Sequence, residues 1–276
     1  MSNDLISWLG NKKRAAEMLW DYYGNINTFV DPFCGSAALI FERPSRLEGI
    51  SMVINDMDYM LVNTLRALKW DYEKLCEEFD EYVAEANMDS CRIVLERLDY
   101  DEFRKMILSS VKNYSLPVAY AWLYLNNSSI HPIKMRGTRK SPIKSFTDNM
   151  KIVKGGQKLK RAVILSGDWE RALSKAYLYI YKTNKERAGI LLDPPYMNSE
   201  SDYRVISKDI ALQAYIWATE NFSERIRIAY CCYDEDFPLP EGWKKYTWQG
   251  KTYSKEGETG ARSECVMLSP HSECGW

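Results

Sequence analysis

Apolar residues recur along this chain in two rhythms. Short unbroken apolar runs that stop at a carboxylate or a turn residue alternate with stretches in which apolar positions return every three or four residues. That is the pattern of parallel strands interleaved with helices. The runs at Thr28–Asp31, Met52–Asp56, Ala162–Leu165, Ala188–Leu192 and Arg225–Cys232 predict strands, and Tyr246–Trp248 and Glu264–Leu268 predict two more. Helical spacing covers about 12–23, where Gly24 stops it, then about 59–69, a stretch after Asp168 to about Tyr179, and 208–221. From about Trp70 to Asn127 no strand alternation appears; amphipathic stretches lie near 72–86, 90–112 and 116–125, and a further helix is predicted around 148–161. The fold class is therefore α/β, with one domain formed by residues 1–69 and 159–276 and a mainly helical insertion at 70–158.

Charge changes that picture. The net charge is −1, yet from Lys134 to Arg161 ten lysines and arginines face a single acid, Asp148. Pro132, Gly137, Ser141 and Pro142 place a loop in the first part of this block. A local positive field on a neutral chain points to a polyanionic partner. The seven cysteines are scattered, with no C-x-x-C pair, which fits a reducing compartment rather than a disulfide framework. Cys265, His271 and Cys274 have no usual zinc-ligand spacing, so no metal is expected. With only His131 and His271 available, histidine-driven acid–base or nucleophilic chemistry fits poorly. No run is long enough to span a membrane and Met1-Ser2-Asn3-Asp4 opens no signal peptide, so the expected location is the cytoplasm.

The candidate chemistry sits where the predicted strands end. Asp193-Pro194-Pro195-Tyr196 follows the run Ala188–Leu192, and two prolines cannot continue a sheet ladder. The resulting rigid turn sets a carboxylate, the Pro194 carbonyl and an aromatic ring at the carboxyl edge of a sheet, where open α/β folds bind ligands. These three groups suit a flat base with an exocyclic amine: Asp193 and the Pro194 carbonyl accept its hydrogens and Tyr196 stacks on the ring. Asp31-Pro32-Phe33-Cys34-Gly35-Ser36 is a tight loop after the first strand, with Ser36 placed to cap a helix of small and apolar residues. Its single glycine rules out the dinucleotide fingerprint. Asp56, at the end of the second strand, is placed to accept hydrogens from two ribose hydroxyls, while Asp58 reads as a helix cap. Asp168 reads equally as a cap or a ligand contact. Lysines at the start of the first helix oppose its dipole, which points to another use for Lys12 and Lys13.

Taken together, Trp8, Gly10 and Lys12, the loop from Asp31 to Ser36, Asp56, a helical and basic insertion, and Asp193-Pro194-Pro195-Tyr196 resemble the D12-class (Dam-like, α-group) DNA adenine-N6 methyltransferases. The resemblance implies a Rossmann-like S-adenosylmethionine-dependent methyltransferase sheet with a target-recognition insertion. It implies cofactor contacts from Trp8, Lys12, Asp31, Phe33, Gly35, Ser36, Asp56, Asp168 and Asp193, with Asp168 near the cofactor adenine. It implies catalysis by Asp193, Pro194 and Tyr196 on an adenine flipped out of double-stranded DNA, with Lys12 near both cofactor and DNA. Asn126, Asn127 and Arg136 partly match the family's recognition stretch, and Lys134, Arg139, Lys140 and Lys144 are further candidate DNA contacts. Arg262-Ser263-Glu264-Cys265 is similar to a late arginine-containing motif. The family includes phage enzymes and members of restriction–modification systems, so a cognate endonuclease is one possible partner, in a bacterial or phage-infected cell. Methylation of an RNA base or a protein amide, and a catalytically silent DNA-binding relative, are the alternatives. Cytosine-N4 transfer fits less well, because those enzymes more often carry serine at the first position of the tetrapeptide.

Overall fold

The computed structural model describes residues 5–6, 12–77, 88–128, 145–174, 187–196, 208–249 and 263–271. Its frame is a seven-stranded sheet in the order β3-β2-β1-β4-β5-β7-β6. The strands are β1 (Thr28–Asp31), β2 (Ser51–Asp56), β3 (Ala162–Ser166), β4 (Ala188–Leu192), β5 (Ile226–Tyr233), β6 (Lys244–Gln249) and β7 (Ser263–Leu268). The first five pair in parallel, with Val30 opposite both Val53 and Ile190. β7 lies antiparallel between β5 and β6. Every residue of β1 and β4 is buried, as expected of parallel strands covered on both faces.

The two faces divide the strand residues alternately. Phe29, Ile54, Ile164, Leu191 and Cys231 face one core, and Val30, Val53, Leu165, Ile190 and Cys232 face the other. The first core holds α1 (Ala16–Tyr23), α2 (Ala38–Phe41) and α3 (Tyr59–Trp70). Residues of α4 (Met88–Glu96), α5 (Tyr100–Ser109), α6 (Leu116–Ser128) and α7 (Ser145–Leu159) join the same core. The second core holds α8 (Glu170–Leu173) and α9 (Lys208–Asn221). Asp58 caps α3 by accepting from the Met60 and Leu61 amides at 2.9 and 3.2 Å. Ser36 does not cap α2. Ala37 stands there in the left-handed region (φ 55°) with no side-chain cap, and the helix runs for four residues only.

The described helices of residues 70–158 share their core with the sheet. Their seat is α3, whose residues from Met60 to Leu68 are all buried, including Asn63, Thr64 and Arg66. The Arg66 guanidinium donates from Nε and Nη2 to the Ile164 carbonyl of β3, and from Nη1 to the carbonyls of Ile107, Ser110 and Asn113. Burial, and then Arg171, hold Arg66 down to about 10. Asn63 donates to the Ser115 carbonyl at 3.0 Å and accepts from the Ser115 amide at 2.6 Å.

α7 approaches α3 at a glycine. A Cβ built on Gly156 would lie 2.6 Å from the Leu68 carbonyl oxygen and 2.6 Å from the Tyr72 ring. Alanine favours a helix by about 1 kcal/mol over glycine, but a backbone oxygen cannot move aside as a side chain can. Gly156→Ala is therefore expected to destabilise the protein by about 1–3 kcal/mol, read as a lower denaturation midpoint; a gain in stability would show that α7 does not sit this close to α3.

Candidate active site

Three strands deliver a carboxylate to one edge of the sheet. β1 ends at Asp31, β2 at Asp56, and Asp193 follows β4. Burial raises Asp31 well above the ordinary carboxylate value, and the nearby Asp193 charge raises it further. Asp31 is 2% exposed, and its Oδ1 has no hydrogen-bond partner among the described residues. Asp56 is raised to about 6, mainly by burial, although its oxygens accept from the Gly35 and Asp58 amides, both at 2.9 Å.

The loop between Asp31 and α2 is shaped by Gly35 (φ 47°) and closed by the Ala37 amide donating to the Cys34 carbonyl at 2.8 Å. Gly35 lacks a Cβ and so takes the left-handed turn without strain, placing its amide on Asp56. Ser36 is buried in this loop, and Phe33 stacks on Trp169 with ring centres 5.6 Å apart. Asn55 was not apparent as a site residue in the sequence. Fully buried, it donates to the Pro32 carbonyl at 3.0 Å and to the Gly167 carbonyl at 2.9 Å, tying the loops after β1 and β3 together. Asp168 is exposed and accepts from the Glu170 amide at 3.2 Å, a local cap contact.

Lys12 closes the group. It sits in a 3-10 turn ahead of α1, is 5% exposed, and places Nζ 2.7 Å from Asp193 Oδ2 and 3.0 Å from the Tyr196 hydroxyl. Burial is the largest influence on the Lys12 ammonium and lowers it, but the charge and hydrogen bond of Asp193, with Cys231 and Glu264, together outweigh it, and Lys12 is held above its ordinary range and stays charged. Burial raises Asp193, with Lys12 and the Tyr196 hydroxyl pulling it part of the way back. The Tyr233 ring, at the end of β5, meets Tyr196 edge to face at 4.7 Å. Trp248 donates to Glu264 at 3.2 Å, and Glu264 adds to the negative field on Lys12 and Asp193. Tyr233 and Trp248 were missed in the sequence; the only signal for Tyr233 is its place at a strand's carboxyl end.

Lys12, Asp31, Phe33, Gly35, Ser36, Asp56, Asp193, Pro194 and Tyr196 thus gather around the carboxyl ends of β1, β2 and β4. Trp8, Gly10, Lys134, Arg136, Arg139, Lys140, Lys144 and Arg262 lie outside the described residues, as does the Asn127 side chain. Asn126, a candidate DNA contact, is 4% exposed within α6 and offers no open surface to a duplex as it stands.

A sheet of this order, with β7 reversed between β5 and β6 and carboxylates at the ends of the first two strands, is that of a Rossmann-like S-adenosylmethionine-dependent methyltransferase. The chain belongs to the D12 class N6 adenine-specific DNA methyltransferase family, whose family model matches residues 8–215. No curated protein matches it. Two solved structures of the rRNA methyltransferase aviRa from Streptomyces viridochromogenes are similar in shape, at TM-scores of 0.43 and 0.42 and 16% and 17% sequence identity. Each alignment covers 97% of this chain and 90% of that one. Among the described residues no helix is long and apolar enough to cross a membrane.

Family and fold imply S-adenosylmethionine, and the residues fit it. Among the described residues, three carboxylates share this edge with one ammonium, and Asp31 Oδ1 is an acceptor without a donor. Such a site suits a ligand carrying an ammonium and a sulfonium.

Lys12→Met removes the one positive charge that the described residues place against Asp193 and leaves that carboxylate uncompensated beside Asp31. The expected loss is about 3 kcal/mol near pH 8. The Asp193 carboxyl is already raised, and without Lys12 it rises further; a carboxyl raised in the folded state costs stability only once pH exceeds its unfolded value of about 4. The deficit against wild type therefore narrows as pH falls towards 5 in denaturant titrations, and a deficit independent of pH would contradict this reading of the pair.

Proposed function

We propose that the protein transfers a methyl group from S-adenosylmethionine to the exocyclic N6 of an adenine flipped out of double-stranded DNA. The observation that carries this is the Lys12–Asp193–Tyr196 cluster at the end of β4, set within the family match. When bound, the cofactor supplies an electrophilic methyl group on a sulfur that leaves as a neutral thioether. Asp31 would hold its ammonium, Asp56 its ribose hydroxyls, and the loop from Phe33 to Ser36 its amino-acid end, with Trp8 and Asp168 as further contacts.

Asp193 and the Pro194 carbonyl accept the two amine hydrogens, which draws the nitrogen lone pair out of the ring and towards the methyl group. Tyr196 stacks on the base, and Tyr233 and Lys12 fix the Tyr196 ring and hydroxyl. Lys12 also draws Asp193 back towards the ionised form and orients it, so the enzyme contributes geometry and electrostatics rather than a strong base. The amine loses its proton during or after transfer. Flipping costs a few kcal/mol, offset by stacking and phosphate contacts. Residues 70–158 form the target-recognition part in this reading, with Lys134, Arg136, Arg139, Lys140 and Lys144 as phosphate contacts and Asn127 near the target.

Asp193→Ala is expected to abolish transfer of labelled methyl to unmethylated genomic DNA while retaining the fold and most DNA binding. Single-base mapping of the wild-type product should place the label in N6-methyladenine at one short motif. Label in RNA or protein but none in DNA would overturn the DNA assignment, and near-normal turnover by Asp193→Ala would overturn the catalytic centre.

Asp56 gives a second test. Its carboxyl lies at about 6 in the free protein, so below that pH it must lose a proton to accept the ribose hydrogens. Cofactor affinity measured by calorimetry is expected to fall as pH drops through 6, by up to about tenfold per unit. Asp56→Asn should bind weakly and lose the part of that fall centred near pH 6; an unchanged profile would remove Asp56 from the cofactor site.

A further inference from the structure

The later part of the basic block, Lys154 to Arg161, takes no part in the site above. With Lys13 and Arg43 it lines a cleft of about 430 Å³ bounded by α2, α7 and residues 5–6. Six cationic side chains face two carboxylates there, Glu42 and Glu48, and Glu42 is already matched by Lys13 at 2.9 Å. Lys158 and Arg161 donate to main-chain carbonyls, those of Arg43 and Gly49. None of Arg43, Lys154, Lys158, Lys160 and Arg161 has a carboxylate within ion-pair distance among the described residues.

Arg43 anchors the cleft. Its side chain is 4% exposed, its Nη1 donates to the Lys158 carbonyl at 3.1 Å, and its Nε has no partner among the described residues. Burial lowers the Arg43 guanidinium, with Glu48 opposing that and Arg161 adding to it; burial and then Arg43 lower Lys158. A buried guanidinium with no carboxylate at ion-pair distance among the described residues, in a cleft where cations outnumber carboxylates, is a site short of an anion. Ser36 and Lys13 line one end of the cleft, next in the chain to Gly35 and Lys12. Glu48 and Arg161, near the starts of β2 and β3, line the other, so the cleft runs from the carboxylate-bearing edge down the flank of the sheet.

We propose that this cleft is a second, anion-binding subsite that takes phosphate groups, supplied by the nucleic-acid backbone beyond the target base or by a free polyphosphate. Phosphate binding here does not depend on which base is methylated. Lys154 and Lys160 are exposed, so the double variant Lys154→Gln/Lys160→Gln keeps the fold, checked by an unchanged denaturation midpoint. Two readings on the full chain separate the sources. In duplex binding measured against salt, loss of two phosphate contacts lowers the slope of log K against log salt by about two. In thermal shift, tripolyphosphate stabilises the wild type and stabilises the double variant less. A changed slope assigns the cleft to the DNA backbone, and a changed tripolyphosphate shift alone assigns it to a free polyphosphate. No difference in either reading overturns the proposal. Wild-type protein that binds no duplex yet responds to tripolyphosphate would sink the DNA reading while leaving the cleft standing.

Discussion

The contact between Lys12 and Asp193 holds the two ends of the site together. It joins a turn near the start of the chain to the end of β4, and both partners are drawn largely out of water to make it. Two charges in that position are costly unless each is matched and hydrogen-bonded. Here the ammonium meets the carboxylate at 2.7 Å and the Tyr196 hydroxyl at 3.0 Å. The same lysine offsets part of the rise that burial imposes on Asp193, limits its repulsion with Asp31 and steadies the aromatic ring beside it. Geometry and charge at this sheet edge are therefore fixed by the protein's own residues, which is what electrostatic preorganisation requires.

The sheet makes that contact possible. Five parallel strands end on the same side, so residues far apart in the chain arrive at one edge through backbone pairing alone. Side chains then fix the loops that the strands release. Asn55 does this with a single amide, and Tyr23 does it from behind, donating from its hydroxyl to the Ile190 carbonyl at 3.0 Å. Gly189 has no side chain where the Tyr23 ring lies; a Cβ there would be 2.6 Å from it. The crowded core behind β4 thus braces the strand whose end carries Asp193.

Much of this could be read along the chain because strands, caps and turns are local. The limits of α9 and of the apolar run in β4, the stop at Gly24, the Asp58 cap and the three strand-end carboxylates all follow from spacing and residue type. The partners of Lys12 could not be read, since Lys12 and Tyr196 are 184 positions apart and periodicity says nothing about such a distance. Lys12 was marked by its awkward place at a helix start and by the family's entry residues, and neither named its partners; the ion pair explains that place. Ala37 misled for the opposite reason: alanine ordinarily continues a helix, and only the packed loop around it imposes the left-handed turn. Asn55 and Arg66 were hidden because a polar residue in an apolar run reads as an interruption, whereas here the buried polar atoms are what bind one loop or layer to another.

Arg66 and Asn63 make their grip in a particular currency. Arg66 binds the carbonyl oxygens of Ile107, Ser110 and Asn113, and Asn63 binds the main-chain amide and carbonyl of Ser115. Main-chain groups are the same whichever side chains those positions carry. The described helices of residues 88–128 can accordingly exchange their outward residues wholesale while remaining seated on α3 in one orientation. A change on their outer face need not disturb where they stand, so that face and the strand-end cluster can vary independently within a single chain.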